Sequence, residues 1–161
     1  MNVCRKPLGE TLIELLKKQN RMLAAAESCT GGGVSARITA ISGSSTVFCG
    51  GVVSYTNQIK QNVLGVPEEI LQTYGAVSEE CTAKMAEGVA KLCNADTAFS
   101  VSGVAGPSGG TEKTPVGTVC FGFYNRGKIT TATQHFLGDR SDVRRQANLF
   151  VLESLVKILE N

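Results

Sequence analysis

The sequence contains no tryptophan, a single histidine and few aromatic residues, only 6% of its 161 positions. A stacking platform for nucleobases needs more aromatic surface than that, and the 16 basic residues are scattered among 14 acidic ones without a basic block. Nucleic acid is therefore not an expected partner. No stretch approaches 18 uninterrupted apolar residues and no apolar signal core follows the N-terminus, so neither a membrane span nor a secretory leader is read. The six cysteines (Cys4, Cys29, Cys49, Cys81, Cys93 and Cys120) include no CxxC pair, and with one histidine they lack zinc-type spacing. A reduced, cytoplasmic, soluble protein that needs no metal or organic cofactor is the expectation. The net charge of +2 remains compatible with an anionic small molecule.

The length and the 42% hydrophobic content suit one globular domain spanning 1–161, with its core at about 8–159. Leu8, Leu12, Ile13, Leu15 and Leu16 recur at helical spacing, predicting a helix over Pro7–Lys18 with Pro7 as its first residue. Met22–Glu27 reads as a buried strand, the glycine run Gly31–Gly33 as a turn, and Val34–Ile41 as a helix. Val47–Tyr55 reads as a strand and Asn57–Leu64 as a short helix capped by Thr56 or Asn57. Helices are expected over Pro67–Tyr74 and from Ser78 to about Cys93, and a strand over Thr97–Ser102. The Gly103–Gly110 segment is a loop; Gly117–Tyr124 and Ile129–Phe136 form a hairpin, and Ser141 or Asp142 caps a helix from Val143 to Leu159. Strands alternating with helices, then a hairpin, predict a three-layer α/β/α domain with a mixed sheet.

In such sheets ligands settle beyond the carboxyl ends of the strands. Ser28–Gly32, Tyr55–Lys60 and Ser102–Gly110 each follow a strand and are expected to converge. Ser28, before a glycine-opened helix, is placed to attack a carbonyl, with amides from Thr30, Gly31 and Gly32 or from Gly103 aimed at the oxyanion; equally, Ser28 or Thr30 simply caps the helix. The sole histidine, His135, lies in a hairpin strand, which disfavours a Ser-His-Asp triad. Lys60 is the alternative base: the first turn of a helix would disfavour its ammonium form, although an ordinary solvated lysine fits the local sequence as well. Tyr55 is either a proton relay or a rim aromatic. Gly138-Asp139-Arg140, with Arg144 and Arg145 following, is either an anion site at a helix start or a neutralised surface cluster.

The runs Ala26-Glu27-Ser28-Cys29-Thr30-Gly31-Gly32, Gly43-Ser44-Ser45, Gly51-Val-Val-Ser-Tyr55-Thr-Asn57 with Lys60, and Gly75-Ala-Val-Ser78-Glu occur in this order. They are followed by Ser102-Gly103-Val-Ala-Gly106-Pro with Pro115-Val-Gly117-Thr118, and by Gly138-Asp139-Arg140 with Val143-Arg144-Arg145-Gln146-Ala147. Together they resemble the CinA C-terminal family, the nicotinamide-nucleotide amidohydrolases, from about Leu8 to Leu159. The resemblance implies hydrolysis of nicotinamide mononucleotide to nicotinate mononucleotide and ammonia in pyridine-nucleotide recycling, by a serine–lysine dyad carried onto Ser28 and Lys60. Tyr55 and Asn57 match beside the lysine. Thr30, Gly31, Gly32, Ser102, Gly103, Gly106, Arg140 and Arg145 fall in the ligand-facing motifs. A homo-oligomer, a dimer or larger, is expected from exposed helix faces. Two rival readings stand beside this one: a non-catalytic nucleotide-sensing or assembly module using the same pocket, and an amidase for another small amide.

Overall fold

The computed structural model describes residues 7–161. Cys4 and the expected absence of a leader at the N-terminus therefore lie outside the described residues. Five strands form one sheet in the order β2-β1-β3-β4-β5: β1 Leu23–Glu27, β2 Phe48–Val53, β3 Thr97–Gly103, β4 Thr118–Asn125 and β5 Lys128–His135. β1 runs parallel to both β2 and β3, whereas β4 and β5 are antiparallel additions, which gives the expected mixed sheet. Asn125 and Lys128 flank a two-residue turn in which Arg126 and Gly127 both take positive φ, the backbone whose twist matches an antiparallel pair.

Helices α1 (Leu8–Lys18), α2 (Gly33–Thr39) and α6 (Arg140–Glu160) cover one face around a core that includes Leu12, Leu16, Ile38, Phe99, Phe121 and Leu155. On the other face α5 (Glu79–Leu92), with α4 (Glu68–Tyr74) against it, buries Cys81, Met85 and Val89 over Ala24, Ala26 and Ala98. The small side chains of β1 let both layers close on the central strand, all five of whose residues are buried. A Cβ on Gly122 would stand 2.3 Å from the Thr82 carbonyl oxygen, so α5 can lie this close to β4 only over a glycine.

Several boundaries differ from expectation. Pro7 stands before α1 rather than in it, because its ψ of 139° is extended. β2 ends at Val53, where its partner β1 ends; the Ser54 amide donates to the Glu27 carbonyl at 2.8 Å and the chain then turns away. The short helix α3 covers only Asn57–Asn62, capped by Thr56, whose hydroxyl accepts from the Ile59 amide. The cap of α6 is Asp139, not Ser141 or Asp142. Its carboxylate accepts from the Asp142 amide while Asp142 reaches back to the Asp139 amide, so the helix begins three residues earlier than expected.

Candidate active site

β1, flanked by β2 and β3, ends on a charged residue that is nevertheless 1% exposed, Glu27. Gly31 and Gly32 take positive φ (58° and 94°), wrapping the backbone so that the start of α2 closes on this carboxylate. Glu27 accepts from the Thr30 hydroxyl (2.6 Å), the amides of Gly32 (3.1 Å), Val34 (3.1 Å) and Ser35 (2.8 Å), and the Ser35 hydroxyl (2.6 Å). The positive end of α2 is thus filled from within the fold. That corrects the expectation that Thr30 and Gly32 face the ligand: their donors serve Glu27, and the Gly31 amide donates to the Ser28 carbonyl at 3.0 Å. Ser28 itself is not the helix cap. Its amide donates to Val101 on β3 at 2.9 Å, leaving its hydroxyl free to face the ends of the strands.

Lys60 comes to meet it. Although α3 is only six residues long, its fourth residue points inward, and the side chain is 2% exposed. The ammonium nitrogen Nζ lies 3.1 Å from Ser28 Oγ and donates to the Ser54 carbonyl oxygen at 2.7 Å. Neither partner is acidic. Burial pushes the Lys60 pKa down from its ordinary value. The groups able to pull it back up are the thiols of Cys81 and Cys29, but burial pushes these to about 11 and about 12, so both stay protonated at neutral pH and supply no counter-charge. Desolvation therefore dominates. The cause differs from the one expected, since Lys60 lies in the last turn of α3, away from the positive end of the helix.

Ser28 and Lys60 lie in a cleft of about 220 Å³ together with Tyr55, Asn57, Ser102, Gly103 and Arg140. The three strand exits expected to converge do so here. Tyr55 is 59% exposed at the rim, and its hydroxyl accepts from Arg140 Nη2 at 3.1 Å. Arg140 Nη1 donates to the Gly106 carbonyl at 3.0 Å. Arg140 therefore ties the β2 exit to the β3 exit from the first turn of α6. Both of these hydrogen-bond partners are neutral, and among the described residues Arg140 makes no ion pair. Gly106 enters only through that carbonyl. Arg145 lies outside the cleft, paired with Asp142 at 3.4 Å on the exposed side of α6. Arg144 instead donates to the Thr30 carbonyl at 3.1 Å, bracing the Ser28 turn.

His135 lies on β5, its Nδ1 3.2 Å from the Thr118 hydroxyl, and lines a neighbouring cleft rather than that of Ser28. Sequence reasoning missed Glu27, the Ser54 carbonyl, and Ala76 and Val77, which complete the cleft wall. Glu27 had a readable signal: an acid ending an apolar strand before a glycine-opened helix. The Ser54 contribution had none, being main chain.

A family model described as the CinA C-terminal domain matches residues 5–159. A CinA-like protein of Thermotoga maritima is 47% identical over 153 residues, covering 95% of this chain and 37% of that protein. One from Fervidobacterium nodosum is 45% identical over 150 residues, covering 93% and 37% respectively. This chain thus spans 37% of the length of these relatives. Among solved structures, the competence damage-inducible protein A (ComA) of Klebsiella pneumoniae superposes with a TM-score of 0.93 at 38% identity, over 96% of both chains. The competence/damage inducible protein CihA of Agrobacterium tumefaciens does so with 0.91 at 34% identity over all of both. None of these names states a reaction.

Proposed function

Because the chain belongs to the CinA C-terminal domain family, we propose that it is an amidohydrolase that converts nicotinamide mononucleotide to nicotinate mononucleotide and ammonia. The observation that carries this reading is the buried Lys60 Nζ at 3.1 Å from Ser28 Oγ, with the Ser54 carbonyl as its other partner among the described residues. A neutral amine has two protons and one lone pair. With one proton directed to the Ser54 oxygen, the lone pair can accept the Ser28 proton.

Ser28 Oγ then attacks the carboxamide carbon while its proton moves to Lys60. The carbon–nitrogen bond breaks as Lys60 returns that proton to the leaving nitrogen, which departs as ammonia. Water next gives a proton to Lys60 and its oxygen to the acyl carbon. The ester bond to Ser28 breaks as Lys60 returns that proton to the serine oxygen, and the carboxylic acid leaves, giving its own proton to solvent. The amide of Cys29, which lines the cleft and is not among the donors to Glu27, is the nearest in sequence for the developing oxyanion. The Arg140 guanidinium, at the cleft and with two neutral hydrogen-bond partners, suits the substrate phosphate. Cys29 shares the cleft, but its thiol is held protonated by burial, so the hydroxyl is the competent nucleophile. A cytoplasmic setting accords with the five described cysteines being free and with no described helix being long and apolar enough to cross a membrane.

The test is ammonia release from purified protein given nicotinamide mononucleotide, beside Ser28→Ala and Lys60→Ala. Loss of about 10³-fold or more in kcat in each variant is expected. Unchanged turnover in both sinks the dyad, and binding without turnover in the unmutated protein favours the sensing module.

A further inference from the structure

We infer that the positive ring of the substrate readies the base used against it: on entering the cleft, a pyridinium carboxamide drives the ammonium proton of Lys60 into solvent, and a neutral, reduced ring does not. The inference rests on the reaction proposed above and adds to it a demand on the charge of the ring. Among the described residues that line the cleft, Lys60 and Arg140 carry the cationic side chains, and there is no aspartate or glutamate. Glu27, the nearest carboxylate in the chain, is turned to the start of α2 and is spent on the amides of Gly32, Val34 and Ser35. A positive ring therefore finds no counter-charge here.

The groups around the amine add none. Ser28 and the Ser54 carbonyl are its hydrogen-bond partners, at 3.1 and 2.7 Å, and both are neutral. Cys29, from the turn after β1, and Cys81, from α5, have thiols pushed by burial to about 12 and about 11, so neither supplies an anion at neutral pH. Arg140, from α6, is a further positive charge, and the Tyr55 hydroxyl that it bonds brings none of the opposite sign.

Nicotinamide mononucleotide carries its phosphate at one end and a quaternary ring nitrogen at the other. With the phosphate at Arg140, its carboxamide carbon must come within about 3–3.5 Å of Ser28 Oγ to react. The ring is bonded directly to that carbon. Its charge then stands within a ring's width of the attack point, well inside the screening length of about 8–10 Å. The Lys60 side chain, 2% exposed, has little water to shield it, and the cleft is only about 220 Å³. Two like charges so placed disfavour each other. The ring nitrogen has no proton to lose, whereas the ammonium has one. Burial already lowers the Lys60 pKa, and the ring lowers it further. The coupling is reciprocal: the factor by which the ring weakens proton binding is the factor by which the proton weakens ring binding. The nucleotide therefore binds more tightly as pH rises through the titration of Lys60, by up to about tenfold per pH unit.

The experiment uses the full chain as Ser28→Ala, expected to hold the nucleotide without consuming it, and as Ser28→Ala with Lys60→Met, each first checked for native circular dichroism. Calorimetric titration from about pH 6 to 9, in two buffers of different ionisation enthalpy, counts the protons released per nucleotide bound. The difference between the two proteins removes the contribution of the phosphate, whose second pKa is about 6. Ser28→Ala is expected to release up to one proton more than the double variant, with Kd falling as pH rises. The 1,4-dihydro form of the nucleotide has the same phosphate and carboxamide but no ring charge, and on Ser28→Ala it is expected to release correspondingly less. If the double variant does not fold, that second comparison decides. Binding with no extra proton at any pH overturns the inference and leaves the reaction standing; so does equal release by the oxidised and reduced nucleotides, or release that persists without Lys60. A chain that does not bind the nucleotide at all refutes the reaction itself, and this inference with it.

Discussion

Replacing Lys60 by Met tests the central electrostatic inference without any substrate. Met has similar length and no charge, so it fills the space between α3 and the strand ends. In the unfolded chain a lysine titrates near about 10.4; in the fold, burial holds Lys60 below that. Between the two values the unfolded state binds the extra proton, so stability rises with pH there. The slope is at most about 1.4 kcal/mol per pH unit for one group. Below the folded value both states are charged and this slope vanishes. Lys60→Met also leaves the Ser54 carbonyl without its donor, a cost of about 1–3 kcal/mol that does not vary with pH. The buried thiols contribute with opposite sign above about 8.5, but they are present in both proteins and cancel in the difference. Urea denaturation of both proteins, at matched ionic strength and from about pH 6 to 10, therefore has a defined outcome. The stability of the unmutated chain gains on that of Lys60→Met as pH rises toward about 10.4, by up to about 1.4 kcal/mol per unit. Parallel curves would mean that Lys60 titrates alike folded and unfolded, and the argument for a neutral base would collapse.

Four further outcomes are expected. The thiols of Cys29 and Cys81, pushed to about 12 and about 11, ionise first in the unfolded chain, so alkaline solution above about pH 8.5 removes stability; Cys81→Ala flattens that loss in the same denaturation series, and an unaltered alkaline slope would contradict it. Glu27→Ala strands several buried donors at about 1–3 kcal/mol each, with Glu27→Gln milder, as read from urea midpoints. Arg140→Ala raises KM for the nucleotide by roughly tenfold or more but leaves KM for its unphosphorylated nucleoside nearly unchanged, and Arg145→Ala changes neither; equal effects of the two substitutions would refute the assignment of the phosphate to Arg140. Activity rises with pH as Lys60 loses its proton and is unaffected by chelators; reversible loss on chelation would rule out the dyad acting alone.

The fold was largely readable because hydrophobic period and glycine placement carry it: α1 shows its stripe, and Arg126-Gly127 marks the hairpin. The α6 boundary was misread because Ser141, Asp142 and Asp139 are all competent caps, and only the reciprocal bonds between Asp139 and Asp142 select one. In the site, strand exits located Ser28, Tyr55 and Ser102, and the family resemblance of the ordered motifs supplied the expected pairing of Ser28 with Lys60. The reason for the state of Lys60 could not be read from the motifs, since its desolvation depends on the burial of its side chain in the fold, beside the thiols of Cys81 and Cys29. The fate of the α2 amides does leave a local sign, an acid closing an apolar strand just before a glycine-opened helix, although the sequence alone does not say which amides that acid takes.

The grip of Ser54 on Lys60 has a consequence for engineering and for drift alike. The atom that aims the amine belongs to the peptide unit, so any residue at position 54 brings it along, and a scan of side chains will pass over it. Changing that aim requires altering the main chain itself, by an amide-to-ester replacement between residues 54 and 55 that weakens the carbonyl as an acceptor, or by shifting the end of β2. The geometry of the candidate base is thus tied to where a strand stops, and its side chain can be lost by one substitution while its mooring cannot.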